Sequence, residues 1–293
     1  MRRSRGKRER PVDREARVER LGNLIAGTLA LYWFARGILV ASHVYREAAV
    51  SFLEGLGAAG TALGHALPGI SVLFIAASVA LVLRPAERWV RVACLVLVAV
   101  ATLGFAILDP GCVVAAFGPL TKNLAVVAML LCLGRLAREP ADIGGVERLL
   151  RYGLGATWLI QGLVVLIAPP TAQLDLAIAL GLPGFDPRAV VATFAVFDAL
   201  CGLALLVAPT HGIAIVALVW AQIVGACLVP AVVSLFDGGW LYHPLAPFLK
   251  NLVLIGGASC FLFLAKQDDV RFFGHLRLAE RTERAAAVVL GAC

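Results

Sequence analysis

"AVVATFAVFDALCGLALLVAP", residues 189–209, runs from Ala189 to Pro209 with one carboxylate, Asp198, at its middle and no other charge. A run of about 20 apolar residues is what crosses a hydrocarbon core about 30 Å thick. An acid at the centre of such a run is expensive in lipid, so it turns toward protein or water. The rest of the chain decides between a membrane span and the core helix of a soluble domain. Its 293 residues are 60% hydrophobic and 15% charged, with mean hydropathy +0.88. Soluble domains carry about a quarter charged residues. Eight runs of the same kind follow one another: 22–44, 66–83, 89–107, 120–137, 149–168, 189–207, 211–233 and 246–265. They are unbroken rather than alternating, which predicts helices and not a barrel. The expected fold class is an all-α integral membrane protein with eight transmembrane helices. Little chain is left over for a soluble domain.

Charge placement predicts the orientation. The first 20 residues carry nine lysines and arginines. With this tail in the cytoplasm, 21 of the 26 basic residues fall inside, including Arg84, Arg88, Arg91, Arg135, Arg138, Arg148 and Arg151. Arg46, Lys122, Arg188 and Lys250 fall at the outer face, and Arg36 within the first span. The positive-inside rule then puts both termini in the cytoplasm, across an even number of spans. The basic tail reads as a topology determinant and anionic-lipid contact rather than a nucleic-acid arm. The first run is too long for a cleaved signal and lacks a nearby cleavage pattern.

The chain also repeats itself. "YWFARGIL" (32–39) matches "TWLIQGLV" (157–164), with Trp33 and Gly37 against Trp158 and Gly162, an offset of 125. "SVALVLRP" (78–85) matches "GLALLVAP" (202–209) at an offset of 124. Pro119, Lys122 and Asn123 match Pro247, Lys250 and Asn251 at 128. Three features in one order at nearly one spacing predict a duplication. The organisation expected is a basic tail (1–21), a first four-helix unit (22–137), a cytoplasmic linker (138–148), a second four-helix unit (149–265) and a cytoplasmic tail (266–293). Four spans per unit make the two bundles parallel, unlike the opposed halves of inverted-repeat transporters.

Polar residues inside spans mark the candidate site. Asp198 and Gln222 lie at the centres of their runs, and Gln161 about 4 Å from the centre of its own at 1.5 Å per residue. Lys250 lies about 8 Å outward, and its side chain reaches about 6 Å. Gln161, Asp198, Gln222, Lys250 and the neighbouring Asn251 therefore form one candidate intramembrane polar site, in which Asp198 is charge-paired with Lys250 and bridged by Gln161 and Gln222 if all four face the bundle axis. The first-unit counterparts are Arg36, Lys122 and Asn123. Phe74 stands where Asp198 aligns, so the first unit lacks the acid. Arg36 then either extends to the outer face or pairs across units with Asp198. The alternative role for all these groups is to bind helices together, at about 0.6 kcal/mol per interhelical hydrogen bond. The seven cysteines include no Cys-x-x-Cys, and the five histidines have no ligand spacing, so no metal site is expected. No nucleotide-binding glycine motif is present either.

The combination of Trp-x-x-x-Gly in a first span, Asp198 and Gly202 in a second, and "HPLAPFLKN" (243–251) opening a fourth resembles the DoxX-like family of small four-span membrane proteins. The likeness is fullest over 149–265. The 22–137 unit has Gly118-Pro119-Leu120 and Lys122-Asn123 without the histidine. The resemblance implies a tandem pair of four-helix membrane bundles in the plasma or inner membrane. It also implies a subunit or scaffold of a quinone- or thiol-linked redox system, with quinone the cofactor to look for and a membrane or peripheral redox protein the partner. Alternatives are a non-catalytic membrane module that recruits a partner or lipid, and a small-solute transporter.

Overall fold

The structure, a computed structural model, describes residues 11–41, 61–108, 119–169, 184–207 and 245–265, with a few single positions between them, among them Trp220. Among the described residues there are seven helices and no strand: α1 Pro11–Ala41, α2 Thr61–Leu83, α3 Arg88–Leu108, α4 Pro119–Leu136, α5 Ile143–Ile167, α6 Pro187–Val207 and α7 Leu245–Ala265. Most of the expected seventh run (211–233), Gln222, the residues beyond 265 and the side chains of Lys122 and Lys250 lie outside the described residues.

Helix ends follow from local chemistry. Pro11, Pro119 and Pro187 open α1, α4 and α6. Proline suits a first turn because its missing N–H has no partner there anyway. Asp142 caps α5: its Oδ1 accepts from the Gly145 amide at 2.8 Å, satisfying an amide with no helical partner. The expected linker 138–148 is therefore helical from Ile143 onward. A cap seven residues ahead of the apolar run starts the helix in polar sequence.

By length and composition α5 and α6 are apolar enough to cross a membrane, at mean hydropathies of 1.4 and 2.4. The apolar parts of α2, α4 and α7 are shorter: Pro68–Leu83, Asn123–Leu136 and Asn251–Leu264. Large apolar side chains face outward along the helices, with Val82 64% and Val207 72% exposed. Such a surface needs a cover.

Within each unit the first two helices pack closely. Ser71 Oγ donates to the Gly37 carbonyl at 2.6 Å and Ser78 Oγ to that of Ala30 at 2.7 Å, which makes α1 and α2 antiparallel. In the second unit Gly162 lies against the backbone of Ala195 and Ala199, and Gly202 against that of Gly155 and Leu159. Ala195 and Gly202 stand where Ser71 and Ser78 do, 124 residues on. Small residues let helices approach where no hydrophobic drive joins them.

The units do not stand as two separate bundles. α4 packs on α5, α1 on α7, and α4 on α7. One buried cluster includes Trp33, Met129 and Leu130 of the first unit with Leu150, Leu154 and Phe261 of the second. The crossings are reciprocal. Gly256 of α7 meets Thr28 of α1, and Gly153 of α5 meets Ala128 of α4. Thr28 and Gly153 are 125 apart and Ala128 and Gly256 are 128 apart, the offsets of the repeat. Each unit thus presents the same first and fourth helices to the other.

Candidate intramembrane polar site

Asp198 projects from the middle of α6 and is 7% exposed. Gln161 of α5 is buried too, and its Nε2 donates to Asp198 Oδ2 at 3.0 Å. The close α5–α6 approach at Gly162 and Gly202 is what brings the two side chains together. Trp220 Nε1 donates to Asp198 Oδ1 at 2.6 Å. The Trp220 ring lies 4.1 Å from that of Phe197 and stacks on Phe194 at 5.4 Å, centroid to centroid. Both carboxylate oxygens therefore accept from neutral donors, and an aromatic wall borders one side.

The sequence pairs Asp198 with Lys250 through Gln161 and Gln222. The structure bonds Gln161 to Asp198 directly, while the Lys250 side chain and Gln222 lie outside the described residues. Trp220 was missed. The signal was available: an indole N–H two positions before Gln222, facing a helix with phenylalanines three apart. Asn251 is buried on α7, in the second turn, after Lys250. Its counterpart Asn123 is also buried. Asn123 Nδ2 donates to Thr102 Oγ1 at 2.7 Å, while its Oδ1 has no partner among the described residues.

The first unit resolves the question about Arg36. Its Nη1 donates to the Tyr32 hydroxyl at 2.8 Å, and its guanidinium lies 5.7 Å from the Tyr32 ring centre and 5.4 Å from that of Phe74. All these contacts are within its own unit, so the cross-unit pair with Asp198 is not formed. Phe74 replaces the acid and offers a ring face to the cation. Trp33 packs on the same two rings.

The glycines of the two motifs are thus packing devices, while Asp198 and Gln161 carry the polarity. The DoxX-like family model matches residues 30–131 and again 155–259. The chain belongs to the DoxX-like family. Two matches in one chain show the tandem duplication, and this DoxX-like chain is a membrane protein with an internal repeat. Comparison with curated proteins and with solved structures gave no match. Among the described residues no group of histidine, cysteine and carboxylate side chains could hold a metal. Cys94, Cys132, Cys201 and Cys260 are all buried and free.

Proposed function

We propose that this DoxX-like protein is a multi-pass component of the plasma or inner membrane, with both termini cytoplasmic, that holds a quinone headgroup beside Asp198. In this reading it is a subunit or scaffold of a membrane redox system whose electrons come from a partner. The observation that carries the reading is the buried Asp198, held by Gln161 and Trp220 against an aromatic wall. These residues fit a quinone ring: Phe194, Phe197 and Trp220 offer apolar faces, and the acid–amide pair offers hydrogen bonds to ring oxygens. A bound quinone would supply the two-electron acceptor. Asp198 would hold or release one proton at Oδ2, and Gln161 would orient it. The four described cysteines are buried, which favours the quinone branch over thiol chemistry.

The test is lipid extraction from protein purified in mild detergent. Quinone should co-purify well above its share of the bilayer. Asp198→Asn, which keeps the shape of the side chain, should lower the retained quinone about tenfold. Wild-type protein with no bound quinone and no co-purifying redox partner would sink the proposal.

A further inference from the structure

Four arginines converge at the end of the molecule that charge placement assigns to the cytoplasm. Arg88, Arg91, Arg135 and Arg138 line a cavity of about 250 Å³ between α3, α4 and α5. Its remaining lining is largely apolar, including Val92, Leu95, Leu130 and Leu131. Two of the arginines are fixed. Arg91 Nη1 donates to the Pro85 carbonyl at 3.5 Å and also to that of Ala86, in the turn between α2 and α3. Arg135 Nη1 pairs with Asp142 Oδ2 at 3.0 Å, the same side chain that caps α5. Glu87 lies near Arg91 as a second negative charge. Arg88 and Arg138 make no side-chain hydrogen bond or ion pair among the described residues. Four guanidinium groups thus share one cavity with two carboxylates beside it, each near one of the fixed pair.

We propose that this cavity binds the phosphate of an anionic phospholipid. The fixed pair pre-orients donors, and the free pair closes on the phosphate oxygens in the planar geometry arginine favours. Exposed Val92 and Leu131, with half-buried Leu95 beside them, give the acyl chains an apolar path from the headgroup into the bilayer, which a soluble phosphate would not use. Basic pockets between helices at a cytoplasmic face take lipid headgroups in this way. The site spans the joint between units, since Leu149 of α5 lines it with α3 and α4 of the first. A bound lipid therefore clamps the two units together.

The experiment uses the full chain, delipidated in an uncharged maltoside detergent. Dioleoyl phosphatidylglycerol, dioleoyl phosphatidylcholine and inorganic phosphate are added separately. Retained lipids are counted by native mass spectrometry, and thermal midpoints are recorded. Phosphatidylglycerol should raise the midpoint and leave at least one lipid bound; phosphatidylcholine should do neither. The double variant Arg88→Gln/Arg138→Gln removes the two unpartnered arginines, so folding does not depend on them. It should retain one lipid fewer and bind phosphatidylglycerol at least about tenfold more weakly. Removing the same charge from the tail, as Arg2→Gln/Arg3→Gln, should leave that lipid in place. Equal retention by the Arg88/Arg138 variant overturns the proposal, as does loss of the lipid in the tail variant. Binding of inorganic phosphate without phosphatidylglycerol overturns it too, by moving the site to a soluble ligand.

Discussion

Position 74 and position 198 occupy the same place in two copies of one unit and have opposite chemistry. Where the second unit has a carboxylate accepting from Gln161 and Trp220, the first has a phenyl ring under a guanidinium. A cation over a ring contributes about 0.5–1 kcal/mol when partly exposed. Arg36→Leu should accordingly insert and fold like the parent, with a thermal midpoint lower by only a few degrees. A variant that failed to insert would point to an acidic partner for Arg36. Asp198→Leu should be worse than Asp198→Asn, because it takes the acceptor from the buried Gln161 amide and the half-buried Trp220 indole, and losing a buried donor's acceptor costs about 1–3 kcal/mol; thermal denaturation of both variants separates the two costs. That Asp198 and Gln161 share one depth was legible from their places in adjacent spans; that they bond directly was not, because depth alone does not say which faces the helices present. Trp220 was not, because a tryptophan in an apolar run reads as packing until its N–H is seen to have an acceptor.

Run lengths in the sequence place α2, α3, α4, α6 and α7 within a few residues of their observed ends. Which face each helix presents was not legible. A lipid tail and a neighbouring helix are both apolar, so buried Leu81 and exposed Val82 leave the same trace in composition. Small residues carry more information. A Cβ at Gly202 would run into the Leu159 backbone and reach within 2.6 Å of the Gly155 carbonyl. Gly202→Ala should therefore destabilise the α5–α6 pair by about 1–3 kcal/mol, the usual range for overpacking. It should also loosen Gln161 from Asp198, which quinone retention would report. The start of α5 responds to pH. The Gly145 amide holds the Asp142 carboxyl below its usual value of 3.8, helped by Arg135. A depressed carboxylate contributes stability above its unfolded pKa, and that stability is lost as pH falls through the folded value. Thermal midpoints measured from about pH 6 down to about pH 3 should fall at the acid end, and Asp142→Asn should flatten that fall.

At the scale of the whole molecule, duplication was visible in the repeat offsets, and the shared core was not. Sequence matches show that two units exist; only the meeting of Thr28 with Gly256 and of Ala128 with Gly153 shows how they join. Because this joint is a buried apolar surface rather than a tether, residues 1–141 and 142–293 produced as separate chains in one cell should co-purify. Halves that insert separately and never associate would contradict the shared core. The reciprocal crossing has a consequence for how the two copies can diverge. In a pair of identical chains joined this way, any substitution is imposed on both sides at once. Fusion ends that obligation: one copy keeps an ionisable acid while the other is free to lose it. The chain is in effect a dimer allowed to become asymmetric, with Phe74 opposite Asp198 as the record of that freedom.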